Sequence, residues 1–292
     1  MTASSSFILI LLSTALVNSY QILLLKGKSA LHGHRDGIND SRRTFIASSI
    51  AAISATSVIK PTSAISAEEA SKSYDVYAKT YDNLDGGSAA SALGIDEART
   101  KLLQLAKGDA LEIGVGTGLN LSSYKLSKGG TDGITSLTLV DISEGMLSQA
   151  RLRVQQLGLE GHIPVKIIQA DATSQLGELF GRNKFDTVVD TFSLCVMGNE
   201  GAKKCLNEMT GVVKEGRDGG QILLIENTRS SNPLLGAYQD VTASSAADLG
   251  GKGCLYNQNV GNMIENIQGL KLLREETYAA GLFRSFVCEK TT

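Results

Sequence analysis

Short apolar runs alternate with helical patterns from about residue 94 to the end of the chain. Five of these runs are rich in Val, Ile and Leu, which is typical of buried parallel strands, and each closes on a carboxylate. The predicted strands end at Glu112, Asp141, Asp171, Asp190 and Glu226. This alternation predicts a doubly wound, Rossmann-like α/β fold with a mostly parallel sheet.

Helices are predicted between the strands. Residues 94–107 form the helix that leads into the first strand, and residues 200–214 form the helix between the fourth and fifth strands. A further helix is expected to begin in the glycine-rich turn after the first strand. Ser143 is a favourable N-cap for another, whose apolar positions are Met146, Leu147, Ala150, Val154 and Leu157.

Residues 227–262 interrupt this rhythm. The segment is long, rich in glycine and serine, and broken by Pro233. Long connections in compact domains are often functional lids. This one leaves the carboxyl end of the fifth strand, where ligands bind in such sheets. We therefore predict a long loop that caps the substrate side, and we call residues 227–262 the cap.

The turn after the first strand carries the strongest functional signal. Gly114, Gly116 and Gly118 alternate there, and glycine permits positive φ and close approach of a ligand to the main chain. The dinucleotide fingerprint would require a glycine in place of Leu119. Asp141 closes the next strand 23 residues after Gly118, as expected of a carboxylate that binds ribose hydroxyls. The pattern predicts a nucleoside-binding edge of the sheet.

An acid followed by G-x-G-x-G resembles motif I of the class I S-adenosylmethionine (SAM)-dependent methyltransferases, and the likeness covers about residues 74–290. Residues 74–82 (YDVYAKTYD) are similar to the opening of small-molecule methyltransferases. Residues 116–120 (GTGLN) and 253–257 (GCLYN) are similar to an organellar, membrane-associated branch that includes thiol methyltransferases. One departure is Asn227, since the position after the strand-five acid is often histidine in relatives.

This resemblance implies a seven-stranded sheet closed by an antiparallel hairpin of residues 270–273 and 283–287. It also implies a SAM site, in which Asp141 binds the ribose, Ile142 packs on the adenine and Asp171 binds the adenine amino group. The cofactor-binding residues expected from it are Tyr81, Glu112, Gly114, Val115, Gly116, Thr117, Gly118, Asn120, Asp141, Ile142, Met146, Asp171, Ala172 and Thr191. Acceptor contacts are expected from Tyr77, Cys195, Tyr238, Cys254, Tyr256 and Asn257.

The chain is poor in residues for metal binding or base catalysis. Two of its three histidines, His32 and His34, lie near the N-terminus, and His162 lies in a polar connection. None of the four cysteines has zinc-ligand spacing, so no metal is expected and each cysteine is interpreted as a small buried hydrophobe.

Methyl transfer from a sulfonium needs mainly alignment of the reacting atoms and a site that excludes water. If a base is used, the candidates are Asp190, Glu226 and Tyr81.

Residues 1–67 have the composition of a targeting leader. They hold six Lys or Arg against two acids and an apolar run of 11 residues, Phe7–Val17, the length of a signal-peptide core. Arg42 and Arg43 precede a second apolar stretch that ends in small residues, which is a twin-arginine pattern. Two signals in series favour a plastid, with transfer to the thylakoid. A mitochondrial transit peptide and an N-terminal membrane anchor are the alternatives.

Residues 68–292 are predicted to be one methyltransferase domain. They carry 22 Lys or Arg and 28 Asp or Glu, and this net charge of −6 disfavours nucleic acid as a partner. The expected acceptor is a small, fairly apolar molecule such as a thiol, phenol or quinol. Peripheral membrane association and the oligomeric state are left open. Two other functions compete: a non-catalytic organellar assembly factor with this fold, and an NAD(P)-dependent oxidoreductase, which Leu119 disfavours.

Overall fold

The computed structural model describes residues 66–82, 93–127, 132–250 (the backbone alone at 248–250) and 253–291. Of the targeting leader predicted in residues 1–67, residues 1–65 lie outside the described residues. Within the described ranges, no helix is both long and apolar enough to cross a membrane.

Strands and helices alternate through the described chain. The strands are β1 Gly108–Ile113, β2 Ile134–Asp141, β3 Val165–Gln169, β4 Thr187–Thr191, β5 Gln221–Asn227, β6 Leu270–Tyr278 and β7 Phe283–Lys290. The α-helices are α1 Ala67–Tyr77, α2 Ile95–Leu103, α3 Glu144–Gln156, α4 Leu176–Phe180, α5 Gly198–Val212, α6 Pro233–Gly250 and α7 Val260–Glu265. Short 3₁₀ turns occupy Leu121–Ser123, Leu159–Gly161, Gly216–Asp218 and Ala279–Gly281.

The strands form one seven-stranded sheet in the order β3-β2-β1-β4-β5-β7-β6. The first five strands are parallel, and β7 lies antiparallel between β5 and β6. The expected Rossmann-like sheet with an antiparallel closing strand is therefore confirmed. Strand order reverses between β1 and β4, and ligands bind at such a switch point, beyond the carboxyl ends of the strands.

Helices cover both faces of the sheet, because the parallel strands are apolar on both sides. On one face, α2 and α3 bury Leu103 and Leu147 against β1 and β2. On the other, α5 and α7 bury Leu206 and Ile264 against β4 and β5. The resulting three-layer core holds the carboxyl edge of the sheet in a fixed position.

The helix expected after Ser143 is present, and its cap is the expected one. The Ser143 hydroxyl accepts a hydrogen bond from the Met146 backbone N–H at 3.1 Å, which satisfies a donor at the start of α3. The apolar stripe through Val154 is buried. Leu157 does not extend it: this residue caps the helix and is 40% exposed.

The expected helix after the glycine turn is wrong. The turn leads only into the 3₁₀ segment Leu121–Ser123, and the chain becomes extended at Tyr124. The Tyr124 hydroxyl donates to the buried Glu112 carboxylate at 2.7 Å, and this contact pulls the chain back toward β1. A local tertiary contact therefore replaces a helix in this short connection.

The prediction of a loop for the cap is also wrong in its secondary structure. Residues 233–250 form α6, the longest helix of the described chain. Pro233 occupies the first turn, where a missing N–H costs no hydrogen bond, so it starts the helix instead of breaking it. The Asn232 side chain accepts from the backbone N–H groups of Leu234 and Leu235 at 3.1 and 3.2 Å and caps the helix.

Candidate active site

Two adjoining cavities open at the switch point. Both are bounded by Gly114 and Gly116 after β1, by Thr191 and Phe192 at the end of β4, and by Tyr74 and Tyr81. The first cavity extends along the ends of β2 and β3, where its walls include Val140, Asp141, Ile142, Met146, Ala170, Asp171 and Ala172. The second extends toward α2 and the cap, where its walls include Ile95, Arg99, Leu119, Cys195, Val196, Asn227 and Cys254.

The glycine turn depends on positive φ at all three glycines. Gly114, Gly116 and Gly118 have φ values of +59°, +56° and +84°, which glycine adopts without steric cost. A side chain at Gly114 would also collide with Ser193 on the loop after β4. The turn therefore lies flat against that loop and leaves its backbone facing the cavities.

Asp141 joins the turn to the end of β2. Its Oδ2 accepts from the Gly116 backbone N–H at 2.8 Å, and its Oδ1 accepts from the Ser143 N–H at 2.9 Å. Burial is the main cause that raises the pKa of Asp141 to about 6, against the opposing effect of these backbone donors. Above that pH, the side chain is a carboxylate at the cavity wall and is suited to accept two vicinal hydroxyls.

The rest of the first cavity is suited to a flat aromatic base. Ile142 and Met146 provide apolar surface, and Ala172 lies on the opposite strand end. Asp171 follows β3, and its Oδ1 accepts from the backbone and hydroxyl of Thr173 at 2.8 and 2.7 Å. This Asx turn holds a carboxylate in the cavity wall just after β3.

Glu112 lies beneath the glycine turn and lines neither cavity. Its two oxygens accept from Asn120 Nδ2 at 2.9 Å and from the Tyr124 hydroxyl at 2.7 Å. Burial raises the pKa of Glu112 to about 7, although both hydrogen bonds oppose the shift. Asn120 Nδ2 also donates to Thr191 Oγ1 at 3.0 Å. Glu112 therefore positions the cavity wall through Asn120.

Arg99 is a cavity residue that sequence analysis missed. It is only 9% exposed, and its Nη1 pairs with Asp96 Oδ1 at 3.2 Å. Its Nε has no hydrogen-bond partner among the described groups, and burial lowers the pKa of the guanidinium. The signal was present in the sequence, because Arg99 falls within the apolar stripe of α2, between Ala98 and Leu102. A buried cation with an unused donor points to an anionic ligand group.

Asp190 and Glu226, two of the candidate bases, are buried behind the loop after β4. Glu226 Oε1 accepts from the backbone N–H groups of Ser193 and Leu194 at 3.0 and 3.2 Å. Asp190 Oδ2 accepts from the Ser193 hydroxyl at 2.7 Å. Burial raises the pKa of Asp190 to about 6, and burial together with the Asp190 charge raises the pKa of Glu226 well above its usual range. The raised pKa favours a protonated Glu226 beside Asp190, and through their contacts with Ser193 and Leu194 the two side chains hold the loop.

The six side chains expected to contact the acceptor are distributed unevenly. Cys195 and Cys254 line the second cavity, and Tyr81 lines both. Outside the two cavities lie Tyr77, Tyr238, Tyr256 and Asn257. Tyr256 Oη bonds Thr242 Oγ1 at 2.6 Å, and Asn257 Nδ2 donates to Asp240 Oδ1 at 3.3 Å. These two side chains therefore hold α6 to the segment that follows it.

The structure also pairs two cysteines that sequence analysis treated as separate. Cys195 and Cys254 form a disulfide with their Cα atoms 4.8 Å apart. Sequence spacing could not indicate this bond, because the two residues are 59 positions apart and neither belongs to a C-x-x-C motif. Cys205 and Cys288 are free and buried in the core, as expected of small hydrophobes.

Known proteins share this arrangement. Residues 110–216 match the model of a family described as a methyltransferase domain. The mitochondrial methyltransferase OMS1 of Saccharomyces cerevisiae is 25% identical over 62% of this chain and 38% of its own length. A phosphatidylethanolamine N-methyltransferase of Cereibacter sphaeroides is 32% identical over 49% of this chain and 62% of its own length. The ubiquinone/menaquinone biosynthesis C-methyltransferase UbiE of Ectopseudomonas mendocina is 33% identical over 49% of this chain and 50% of its own length. The chain thus spans 38% to 62% of the length of these relatives.

Solved structures share the fold at low sequence identity. The [4+2]-cyclase SpnF matches with a TM-score of 0.57 and 14% identity, over 80% of this chain and 100% of that protein. Magnesium protoporphyrin IX methyltransferase (ChlM) from Synechocystis PCC 6803, crystallised with bound SAH, matches with a TM-score of 0.51 and 14% identity, over 76% of this chain and 100% of that protein.

Topology, glycine turn and family match agree on the class of protein. Residues 110–216 match a methyltransferase domain, and this match together with the methyltransferase relatives supports a class I SAM-dependent methyltransferase with SAM as its cofactor.

The raised pKa of Asp141 predicts how SAM affinity depends on pH. The carboxylate form accepts hydroxyls, so affinity should fall as the pH drops through about 6, by roughly tenfold one unit below the pKa. Calorimetric titration at pH 7.5 and pH 5 measures this change. The matched variant Asp141→Asn should bind weakly at both pH values. An equal pH dependence in the two proteins would contradict this role of Asp141.

The buried Asp190–Glu226 pair predicts a pH-dependent stability. Because the folded-state pKa of Glu226 is raised, the folded protein binds more protons than the unfolded chain, and stability declines as pH rises above the unfolded value. Glu226→Gln places an N–H donor beside Asp190 in a side chain that does not titrate, so the variant avoids this decline in stability. It should raise the free energy of unfolding by on the order of 1–3 kcal/mol at pH 8 and by much less at pH 5.

Urea denaturation at the two pH values tests this prediction. The control is Glu200→Gln, since Glu200 is exposed and its pKa is lowered by Lys203; this variant should show no such gain. A Glu226→Gln protein that is equally stabilised at both pH values, or destabilised at pH 8, would argue against the shared proton.

Proposed function

We propose that this protein transfers the methyl group of SAM, in line, to a small and fairly apolar molecule whose acceptor atom ionises easily, such as a thiol, phenol or quinol. The observation that carries the proposal is the composition of the second cavity. It adjoins the nucleoside-shaped first cavity through Gly114, Gly116 and Thr191, and among the residues that the structure describes no Asp, Glu, Lys or His side chain lines it.

Each part of the cofactor has a matching set of residues. Asp141 would accept the ribose hydroxyls, Ile142 and Met146 would pack on the adenine, and Asp171 would accept from its amino group. The backbone of the glycine turn would face the methionyl part. Arg99 fits the methionyl carboxylate, because its buried guanidinium has an unused Nε donor at the second cavity. When bound, SAM supplies a methyl group that the sulfonium charge activates.

The residues around the second cavity would orient the acceptor and exclude water rather than act as a general base. Its aromatic and aliphatic walls, formed by Tyr74, Tyr81, Leu119, Phe192 and Val196, exclude water. Asp190 and Glu226 lie behind the wall and hold the loop after β4. An acceptor in this cavity would therefore have to ionise with little help, and Tyr81 is the one candidate base that reaches it.

The relatives support a small-molecule acceptor without specifying it. Their names refer to phosphatidylethanolamine and to ubiquinone or menaquinone biosynthesis, which are different acceptor classes. The net charge of −6 over residues 68–292 agrees with a small molecule and opposes nucleic acid. A non-catalytic assembly factor and an NAD(P)-dependent oxidoreductase remain the alternatives that experiment must separate.

The assignment of Arg99 gives a specific test of the cofactor site. Arg99→Met removes a buried charge while keeping most of the side-chain volume, so affinity for SAM and SAH should fall by about 10- to 100-fold, the value of a charge-assisted hydrogen bond. Affinity for methylthioadenosine, which lacks the carboxylate, should not change. Lys101→Met is the matched control, since Lys101 lies on the same helix but is exposed and pairs with Glu276.

Turnover is tested on the full chain with SAM labelled in its methyl group. The proposal expects label in one or more small thiols, phenols or quinols, and none after Asp141→Ala. A protein that binds SAM but labels nothing in an extract of its own organelle would favour the assembly factor. Equal loss of methylthioadenosine binding in Arg99→Met would contradict the placement of the carboxylate and leave the acceptor proposal unaffected.

We also propose an organellar location. The leader pattern of residues 1–67 favours a plastid, whereas one relative is named as mitochondrial. A fluorescent protein fused to the C-terminus of the full chain should enter one of these organelles in the source cells. Diffuse cytosolic fluorescence would contradict the proposal.

A further inference from the structure

The Cys195–Cys254 disulfide lies in the wall of the acceptor cavity. Cys195 belongs to the loop after β4, and Cys254 belongs to the cap segment that follows α6. Both residues line the second cavity. Cys195 is 1% exposed, whereas Cys254 is partly exposed. A small molecule that enters the cavity therefore meets the bond from the Cys254 side.

The disulfide joins the cap to the loop after β4, and each of these two segments is otherwise held by its own set of hydrogen bonds. The cap is fixed at its base, where Arg229 N donates to Gln258 O at 2.9 Å and Gln239 Nε2 donates to Thr228 O and Tyr256 O, each at 2.9 Å. The loop after β4 is held from below by Asp190 and Glu226. Among the described residues of cap and loop, one backbone hydrogen bond accompanies the disulfide, from Leu255 N to Cys195 O at 2.9 Å.

Asn227 is placed to respond to the oxidation state of the two sulfurs. Its Nδ2 lies 3.4 Å from Cys254 Sγ and 3.8 Å from Cys195 Sγ, and it is the last residue of β5. An amide N–H donor stabilises a thiolate more than it stabilises a disulfide sulfur. Asn227 therefore lies beside both sulfurs, each of which leaves as a thiolate in one of the two steps of exchange with a dithiol. It stands at the position where sequence analysis noted the absence of histidine.

We propose that Cys195–Cys254 is a redox-active disulfide that closes the cap over the acceptor cavity, and that a small dithiol opens it. A thiolate of the dithiol attacks Cys254 Sγ, the Sγ–Sγ bond breaks, and the electron pair leaves on Cys195 Sγ. The second thiol of the reductant then attacks the mixed disulfide and releases Cys254. The protein gains two thiols, and the reductant becomes a cyclic disulfide.

Opening would change access to the cavity. With the bond broken, one backbone hydrogen bond joins the described cap residues to the loop after β4 at this point, and local opening of the cap becomes easier. The covalent bond also closes a long chain segment, whose constraint stabilises the folded state. The redox poise of the surroundings would thus set how readily an acceptor enters.

The test compares the full chain equilibrated in oxidised and in reduced dithiothreitol. Alkylation followed by mass spectrometry should find Cys195 and Cys254 protected in the first state and labelled in the second. Amide hydrogen exchange in peptides from the cap should be roughly tenfold faster in the reduced state, while peptides from α3 should not change. The reduced protein should also melt at least about 5 °C lower.

Two double variants separate the bond from the rest of the molecule. Cys195→Ala/Cys254→Ala should exchange rapidly in the cap under both conditions, and Cys205→Ala/Cys288→Ala should keep the dependence on dithiothreitol. If a variant fails to fold, the comparison of the unmodified chain in oxidised and in reduced dithiothreitol still tests the proposal. Labelling of both cysteines in oxidised dithiothreitol, their protection in the reduced form, or equal cap exchange in the two states would each overturn the proposal.

Discussion

Four carboxylates lie at the carboxyl edge of the sheet, three of them buried and Asp141 half-buried, and among the described residues none of them forms an ion pair with a lysine or arginine. Glu112, Asp141, Asp190 and Glu226 instead take their hydrogen bonds from backbone N–H groups, hydroxyls and an amide. A buried carboxylate without such donors would be strongly destabilising. The need to supply hydrogen-bond donors to these four carboxylates therefore determines the shape of the loops that form the site.

The consequence is visible on both sides of the switch point. The glycine turn bends so that the Gly116 N–H reaches Asp141, and only positive φ allows this. The loop after β4 wraps around Glu226 and Asp190, with Phe192 at a φ of +61°. Both loops meet where a Cβ on Gly114 would strike Ser193. The edge is thus preorganised before any ligand binds, which agrees with a site that works by alignment.

The fold was predictable because the central parallel strands are buried on both faces and an acidic residue lies within two positions of the end of each parallel strand. The period of the apolar residues indicated α3, and its cap followed from one side chain, Ser143. Errors arose where tertiary contacts outweighed local pattern. The contact of Tyr124 with Glu112 replaced a helix, and Pro233 started a helix because Asn232 supplied its cap. The Cys195–Cys254 pair was missed because its members are 59 positions apart. Arg99 was missed although its place in the apolar stripe of α2 indicated a buried cation.

A fold of this kind hosts more than one activity, so the assignment depends on the site. Calorimetric titration of the full chain with SAM and with NADH, repeated on Asp141→Ala, tests the central claim most directly. The account predicts micromolar SAM binding that Asp141→Ala abolishes, and no binding of NADH. A folded protein that ignores SAM, or that binds NADH instead, would contradict it.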